Sequence, residues 1–502
     1  MKNQVQLVCY ADRLGGTLQG LRQLLAGPLA GLFGGVHLLP FFHPIDGSDA
    51  GFDPMDHTQV DARLGDWVDI RALAKDMEIM ADVIVNHISS HSPQFLDFSA
   101  HPGDSRHAGL FLTLDSVFPD GASERDLLAI YRPRPGLPFT PMTLSDGSRR
   151  ILWTTFTAEQ LDIDVGHPEG RRYLEGILRI LAHHGVRLIR LDAVGYAVKK
   201  AGTSCFMTAE TFAFIREFAD TARSHGLEVL VEIHAHHQLQ IRVAAQVDWV
   251  YDFALPPLVL HAFTSGTARY LKEWIAIRPS NCLTVLDTHD GIGIIDIGAD
   301  SHDPANLPGL VPDEGIDQLV RQIHANSGGD SLRATGAAAS NLDLYQVNCT
   351  FFDAVARDER RYLLCRAIQF LLPGIPQVYY VGLLAGCNDM ALLSRTGVGR
   401  DINRHHYTRA EIDAALGRRV VADLLALIRL RNTHPAFEGS FELLPCAPEV
   451  LQLRWHKAGA EVVLRVSMAT ADHHLSVSAT DEAPKFHLLN VGTADPLTAR
   501  LL

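Results

Sequence analysis

The stretch RLIRLDAV, Arg187 to Val194, sets two cations and one carboxylate inside an apolar run. Its aliphatic residues suit a short buried strand, and a charge there is costly unless something pairs with it. Arg190 lies two residues before Asp192, so in a strand both side chains share one face. Taken alone, the pair fits a structural ion bridge as well as a catalytic carboxylate. Three other apolar runs close on the same kinds of side chain. DVIVNH carries Asp82 and ends in Asn86 and His87. VEIHAHH ends in Glu232 and His234, and LDTHDG in Asp287, His289 and Asp290. A single such end is readily a satisfied structural group, whereas four of them at one rim point to a site. Two close carboxyl groups at a water-poor rim suit glycoside chemistry. One attacks an anomeric carbon, and the other, kept protonated, delivers a proton to the leaving oxygen. Spacing alone does not assign the two roles. A zinc site built from the same residues is the sharpest rival. Its ligands would have to come from different strands without HExxH-type spacing, so no metal is expected.

These side chains need a scaffold that brings strand ends together. Apolar runs begin near Val5, Gly35, Ala81, Arg187, Glu228, Trp249, Leu283 and Gly374, with amphipathic helical segments between them. Among those segments are 18–29, 67–77, 169–184, 208–225, 359–372 and 420–433. Eight strands alternating with helices predict a (β/α)₈ TIM barrel, whose active site lies at the C-terminal strand ends. A doubly wound sheet shares this rhythm, but no GxGxxG follows the first strand. The rhythm fails in two places rich in Pro, Gly, Asp and Ser, too long to be plain loops. The expected organisation is therefore a catalytic barrel over 1–85, 167–291 and 357–435. One inserted subdomain covers 86–166 after strand three, and another covers 292–356 after strand seven. From 436 to 502 the texture turns to short alternating runs, which predict a small antiparallel β domain.

Composition narrows the classes of function. A hydrophobic fraction of 47% and a charged fraction of 20% describe an ordinary globular chain. The net charge of −14 argues against nucleic acid as a partner. The seven cysteines are scattered and never form CxxC, a reduced pattern without a zinc site. No apolar run is long enough for a signal peptide or a membrane span, so a cytoplasmic protein is expected.

In order, the segments DVIVNH, RLIRLDAV, VEIH and LDTHD resemble the four short motifs of the α-amylase superfamily, glycoside hydrolase family 13. The resemblance implies Asp192 as nucleophile, Glu232 as general acid/base and Asp290 as transition-state stabiliser. It further implies that His87, Arg190 and His289 contact the glucosyl unit or position the nucleophile. Within the superfamily the chain is similar, almost end to end, to the sucrose phosphorylase family. The stretches that carry this likeness include ADRLGG, LPFFHPIDGSDAGFDPMDH, YRPRPGLPFT, AVGYAVKKAGTSCFMTAET, AASNLDLYQVN and GRDINRHHY. By that match Asp49 and Arg400 hold the far hydroxyls of glucose in a closed pocket, and Tyr196 and Phe156 form an apolar platform beside the ring. Arg134, His234, Asp343, Tyr345 and Gln346 line the acceptor side, where fructose and phosphate alternate.

Elementary chemistry agrees with this arrangement. Phosphate is a dianion near neutral pH, and its approach to a carboxylate-rich site needs a cation. Arg134, flanked by prolines, has the fork geometry for it, although a loop-anchoring role competes. For His234 a buried, hydrogen-bonded structural histidine competes in the same way. Lys199 and Lys200 read as a solvated surface pair. The resemblance thus implies conversion of sucrose and phosphate to α-D-glucose 1-phosphate and fructose, without a cofactor or calcium and with a homodimer as the plausible assembly. The runners-up are phosphorolysis of sucrose 6′-phosphate, glucosylglycerol or glucosylglycerate, and plain sucrose hydrolysis. A non-catalytic carbohydrate-binding relative stands behind these.

Overall fold

The computed structural model describes residues 1–133, 136–300, 306–335 and 346–478. Eight parallel strands close into a barrel: β1 (Gln6–Cys9), β2 (Gly35–Leu38), β3 (Glu78–Ile84), β4 (Leu188–Asp192), β5 (Glu228–Val231), β6 (Trp249–Asp252), β7 (Cys282–Thr284) and β8 (Ile375–Tyr379). They run round the barrel in sequence order, and β8 pairs with β1 to seal it. Every strand falls where an apolar run predicts one, because a parallel strand covered on both faces must be nearly all apolar. The helices follow the 3.6-residue period, and several start at recognisable caps. Asp66 and Asp69 form a capping box on Trp67–Asp76, Thr208 caps Ala209–Ser224, and Asp358 caps Glu359–Leu371.

Inside the barrel the side chains sort by height. Met80, Leu188, Leu230, Leu283 and Ile375 pack together with Tyr251 and Phe253 as an apolar plug. A polar group of His37, Asp82, Arg190 and Gln377 is as fully buried as that plug. The register puts Arg190 directly beside Asp82 of β3 and Leu230 of β5. A buried guanidinium is thereby built into the strand with its carboxylate partner next door, rather than reached by a loop.

Long excursions leave the C-terminal rim. After β3 the chain forms the strand His87–Ser89, which pairs antiparallel with Gln160–Asp162, and the hairpin Phe139–Thr143 with Arg149–Trp153. After β7 come the helices Asp313–Asn326 and Asp330–Thr335. Two further excursions escaped the sequence reading. Residues 39–66, after β2, hold a small pairing of Phe42–His43 with Asp56–Val60. Residues 380–418, after β8, hold several short helices, among them Gly399–Asn403. Both are shorter than the other two, although residues 39–66 share their richness in Pro, Gly and Asp.

At the C-terminus β9 (Ser440–Leu443), β10 (Val450–Lys457), β11 (Ala460–Ser467) and β12 (His473–Ser478) form an antiparallel sheet in sequence order. Burial alternates strictly along β10 and β11, as expected for one covered face. That face meets the barrel, where the Trp455 indole N–H donates to the Leu371 carbonyl at 2.7 Å. Among the described residues no helix is long and apolar enough to cross a membrane.

Candidate active site

Arg190 is the centre of the site's charge. Its side chain is 1% exposed, and one terminal nitrogen, Nη1, donates to Asp82 Oδ1 at 2.5 Å and to Asp192 Oδ1 at 3.1 Å. The other, Nη2, pairs with Glu232 Oε1. Beneath, Asp82 Oδ2 lies 3.1 Å from His37 Nε2, and Tyr251 donates to Gln377 Oε1 at 3.0 Å. Three carboxylates therefore surround one buried guanidinium. Burial, assisted by the charges of Glu232, Asp82 and Asp49, drives the Asp192 carboxyl well above the usual carboxylate range against the pull of Arg190. Burial acts on Asp82 too, but His37 and Arg190 outweigh it and hold that carboxyl down to about 2. Asp192 is the last residue of β4, and Ala193 after it adopts a left-handed backbone (φ 53°) that turns the chain sharply off the strand.

A second set of charges closes the far end. Asp290 lies 3.1 Å from Arg400 Nη1 and 3.7 Å from Arg404 Nη2. Asp49 shares both cations, at 3.1 Å from Arg400 and 3.3 Å from Arg404. Arg404 also donates from Nε to the His289 carbonyl at 2.9 Å, which ties the β7 loop to the β8 loop. Burial opposes charge on Asp290, but Arg400, His289 and Arg404 together outweigh it and hold that carboxyl ionised. Burial acts the other way on imidazoles: it lowers His289 to about 3 and also lowers His87. His289 stacks on Phe52 with ring centroids 4.7 Å apart.

One wall is apolar. Phe156 meets His87 and Tyr196 edge-on, at centroid distances of 5.3 and 5.2 Å, and Tyr196 packs on Phe206 and Tyr131. Aromatic faces with a few fixed polar groups are what a pyranose ring requires. The opposite wall holds His234, stacked on Phe253 with centroids 3.9 Å apart. Its Nδ1 faces Asp296 Oδ2 at 2.8 Å and its Nε2 faces Gln346 at 3.2 Å.

Asp49, His87, Phe156, Asp192, Tyr196, Glu232, His234, His289, Asp290 and Arg400 all line one cavity of about 180 Å³. Arg190 lies beneath it, and Gln346 reaches it through His234. Arg134, Asp343 and Tyr345 lie outside the described residues. The expectation for Lys199 is corrected. Its side chain is 1% exposed, pairs with Asp162 at 2.5 Å, and donates to Asn86 Oδ1 at 2.7 Å and to the Tyr196 carbonyl. The partner comes from Gln160–Asp162, which folds back over the rim, so local sequence carries no sign of the burial. Lys200 does face solvent, beside Glu210. The sequence reading also missed Phe52, Arg404 and Asp296. Of these Arg404 and Phe52 were within reach, because they sit in the stretches GRDINRHHY and LPFFHPIDGSDAGFDPMDH that carry Arg400 and Asp49.

Glu232, His234 and Asp290 bring one potential ligand atom each within 4.8 Å of one another. Both carboxylates already face guanidinium groups, so the cluster's charge is balanced by arginines, which argues against a metal cage. What the arrangement can do is hold one polar ring between an aromatic wall and an ion-paired end. It then presents a nucleophilic carboxylate and a second carboxyl to the same bond.

Comparison with known proteins identifies the lineage. Residues 10–238 match the family model "Alpha amylase, catalytic domain". The sucrose phosphorylase of Agrobacterium vitis is 60% identical over 91% of this chain and 93% of its own length. That of Bifidobacterium adolescentis is 52% identical over 92% of both chains. The crystal structure of sucrose 6F-phosphate phosphorylase from Thermoanaerobacter thermosaccharolyticum superposes with a TM-score of 0.89 at 35% identity, covering 97% of this chain and 98% of that one. A barrel with this rim, and identity of this extent, leave one assignment: the chain belongs to the sucrose phosphorylase family of the α-amylase superfamily, glycoside hydrolase family 13.

Proposed function

We propose that this chain is a retaining glucosyl transferase that converts sucrose and inorganic phosphate to α-D-glucose 1-phosphate and fructose. The observation that carries the reading is the single guanidinium of Arg190, which contacts both Asp192 and Glu232. Two carboxyls tied to one guanidinium suit the ~5–5.5 Å spacing of a retaining pair, not the ~6.5–9.5 Å that leaves room for an inverting enzyme's water. Asp192 attacks the anomeric carbon, the bond from that carbon to the fructosyl oxygen breaks, and Glu232 gives its proton to the departing oxygen. A phosphate oxygen then attacks the β-glucosyl ester while Glu232 takes back a proton, and the Asp192 carboxylate is released. Two inversions restore the α configuration.

The remaining roles follow from charge and shape. Asp290, held ionised by Arg400 and Arg404, sets a fixed negative charge beside the cationic transition state. Asp49 and Arg400 take the far hydroxyls, with Arg404 behind them, and Phe156 and Tyr196 flank the ring. His234 and Gln346, together with Arg134, Asp343 and Tyr345, serve the acceptor side. The reaction needs no cofactor, since phosphate is a co-substrate. We assign the enzyme to the cytoplasm, as a homodimer, on family resemblance.

The test is a coupled assay for glucose 1-phosphate from sucrose and phosphate, run beside the variant Asp192→Ala. The expected result is phosphate-dependent product in the parent. In a variant that still unfolds cooperatively, loss of the nucleophile should lower turnover by on the order of 10⁴-fold or more. Free glucose in place of glucose 1-phosphate would make the enzyme a hydrolase. Product formed by Asp192→Ala at the parental rate would sink the nucleophile assignment.

A further inference from the structure

His234 sits in a hydrogen-bonding frame that the double displacement described above does not itself require. Asp296, from the turn Ile295–Ile297 after β7, is fully buried and places Oδ2 2.8 Å from His234 Nδ1. Its other oxygen accepts from Gln240 Nε2 at 2.8 Å and from the Ala235 N–H at 3.3 Å. A carboxylate donates nothing, so Nδ1 carries its proton toward Asp296. On the far side of the ring the Gly291 N–H donates to Gln346 Oε1 at 3.2 Å. That bond orients the Gln346 amide, leaving its Nε2 to donate to His234 Nε2 at 3.2 Å. The frame is built through a glycine. A Cβ on Gly293 would lie 2.2 Å from Asp296 Oδ2 and 3.1 Å from His234 Nδ1.

One ring nitrogen is thus fixed as a donor to a buried carboxylate, while the other, in the cavity wall, accepts from the Gln346 amide. This is the arrangement in which a carboxylate sets both the tautomer and the basicity of a histidine. The charged groups around His234 come from three elements. Asp296 lies on the turn after β7, Glu232 at the end of β5, and Asp290 on the β7 loop, where Arg400 and Arg404 already engage it. Burial disfavours the imidazolium, but Asp296 and then Glu232 and Asp290 outweigh it, and the His234 pKa is raised above its ordinary value.

We propose that Asp296 is a positioning residue that makes His234 a two-state group matched to the two alternating acceptors. As the neutral Nδ1–H tautomer, His234 offers the Nε2 lone pair to a hydroxyl of the sugar acceptor, which takes the place of the Gln346 N–H. As imidazolium it offers Nε2–H to a phosphate oxygen, which likewise displaces the Gln346 amide. This rests on the proposed reaction, in which phosphate replaces fructose at the same place. Each state supplies the polarity that the other acceptor lacks. Asp296 keeps the change within reach of neutral pH by stabilising the added charge from a position no ligand touches.

The test uses α-D-glucosyl fluoride as donor, because fluoride leaves without acceptor-side contacts. The ratio of glucose 1-phosphate to free glucose, at subsaturating phosphate across a pH series, then reports capture by phosphate against capture by water. In Asp296→Asn the alkaline limb of this ratio should move down by about 1–3 pH units. The protonated form is the one that serves phosphate, and without the carboxylate it is lost sooner as pH rises. The second ionisation of phosphate is common to all variants and cancels in the comparison. Gln240→Met removes a donor from Asp296, strengthens its pull on the imidazole proton, and should move the limb the opposite way. It also serves as the test if Asp296→Asn does not fold. A limb that stays in place in folded Asp296→Asn, with both outlets slowed alike, would reduce Asp296 to a structural role and overturn the proposal. If the parent enzyme makes no glucose 1-phosphate, the proposed reaction fails first and this inference with it.

Discussion

The two ends of the cavity are built from different chemical material. Around the end proposed for the donor stand Asp49, Asp290, Arg400 and Arg404, two carboxylates interleaved with two guanidiniums. Around His234 stand Asp296, Gln240 and Gln346, one carboxylate with two amides and an imidazole. An arginine always donates and a paired carboxylate always accepts, so the donor end has one fixed pattern. Amides offer both kinds of group, and an imidazole changes from acceptor to donor with one proton. In the proposed reaction the first end keeps the same glucosyl unit through both half-reactions and is rigid in polarity, whereas the second accepts two unlike partners in turn and is adaptable.

That contrast can be broken by substitution. The largest effect is expected behind the aromatic wall, at the buried Lys199, which pairs with Asp162 and donates to the Tyr196 carbonyl. Lys199→Met leaves a buried carboxylate without its cation, and chemical denaturation should show a loss of about 3–5 kcal/mol. Lys200→Met, on the surface, should stay within about 0.5 kcal/mol. Equal effects would mean that the rim is not pinned from behind. Next comes Asp49→Ala, which removes a charge-assisted partner of the glucosyl unit worth about 1.5–3 kcal/mol. kcat/KM for sucrose should fall by roughly 10- to 150-fold, and a fall confined to phosphate would invert the assignment of the two ends. The smallest effect is expected from Gln346→Leu, where a neutral hydrogen bond is worth about 0.5–1.5 kcal/mol. It should raise KM for phosphate by roughly 2- to 12-fold and leave kcat/KM for α-D-glucosyl fluoride hydrolysis nearly in place. A larger loss on the fluoride would extend the rigid region across the whole cavity.

The barrel was legible because its strands are short apolar runs at regular intervals, and the reactive groups because they close those runs. Asp192 and Glu232 need no tertiary information beyond the closure of the barrel. The remaining features depend on partners far away in the chain. Lys199 and Lys200 are identical in type and adjacent in sequence, yet only the first meets Asp162, supplied by a segment that folds back from an excursion. Arg404 is buried by Asp49, 355 residues earlier. Phe52 stacks on His289, 237 residues later, and no local periodicity signals it. Asp296 sits in a short turn of an irregular stretch, where carboxylates are usually solvated.

The contacts between Asp49 and the pair Arg400 and Arg404 also set an order in time. Asp49 belongs to the excursion after the second strand, and the two arginines to the one after the eighth, on either side of β1 where the barrel closes. During synthesis, Asp192, Glu232 and Asp290 all emerge before the cations that complete the glucose pocket. A nascent or truncated chain ending before residue 400 holds the attacking groups but has no closed place to hold a sugar. The capacity to hold the donor is in this sense gained after the barrel has closed, when the excursion beyond β8 adds its two arginines to Asp49.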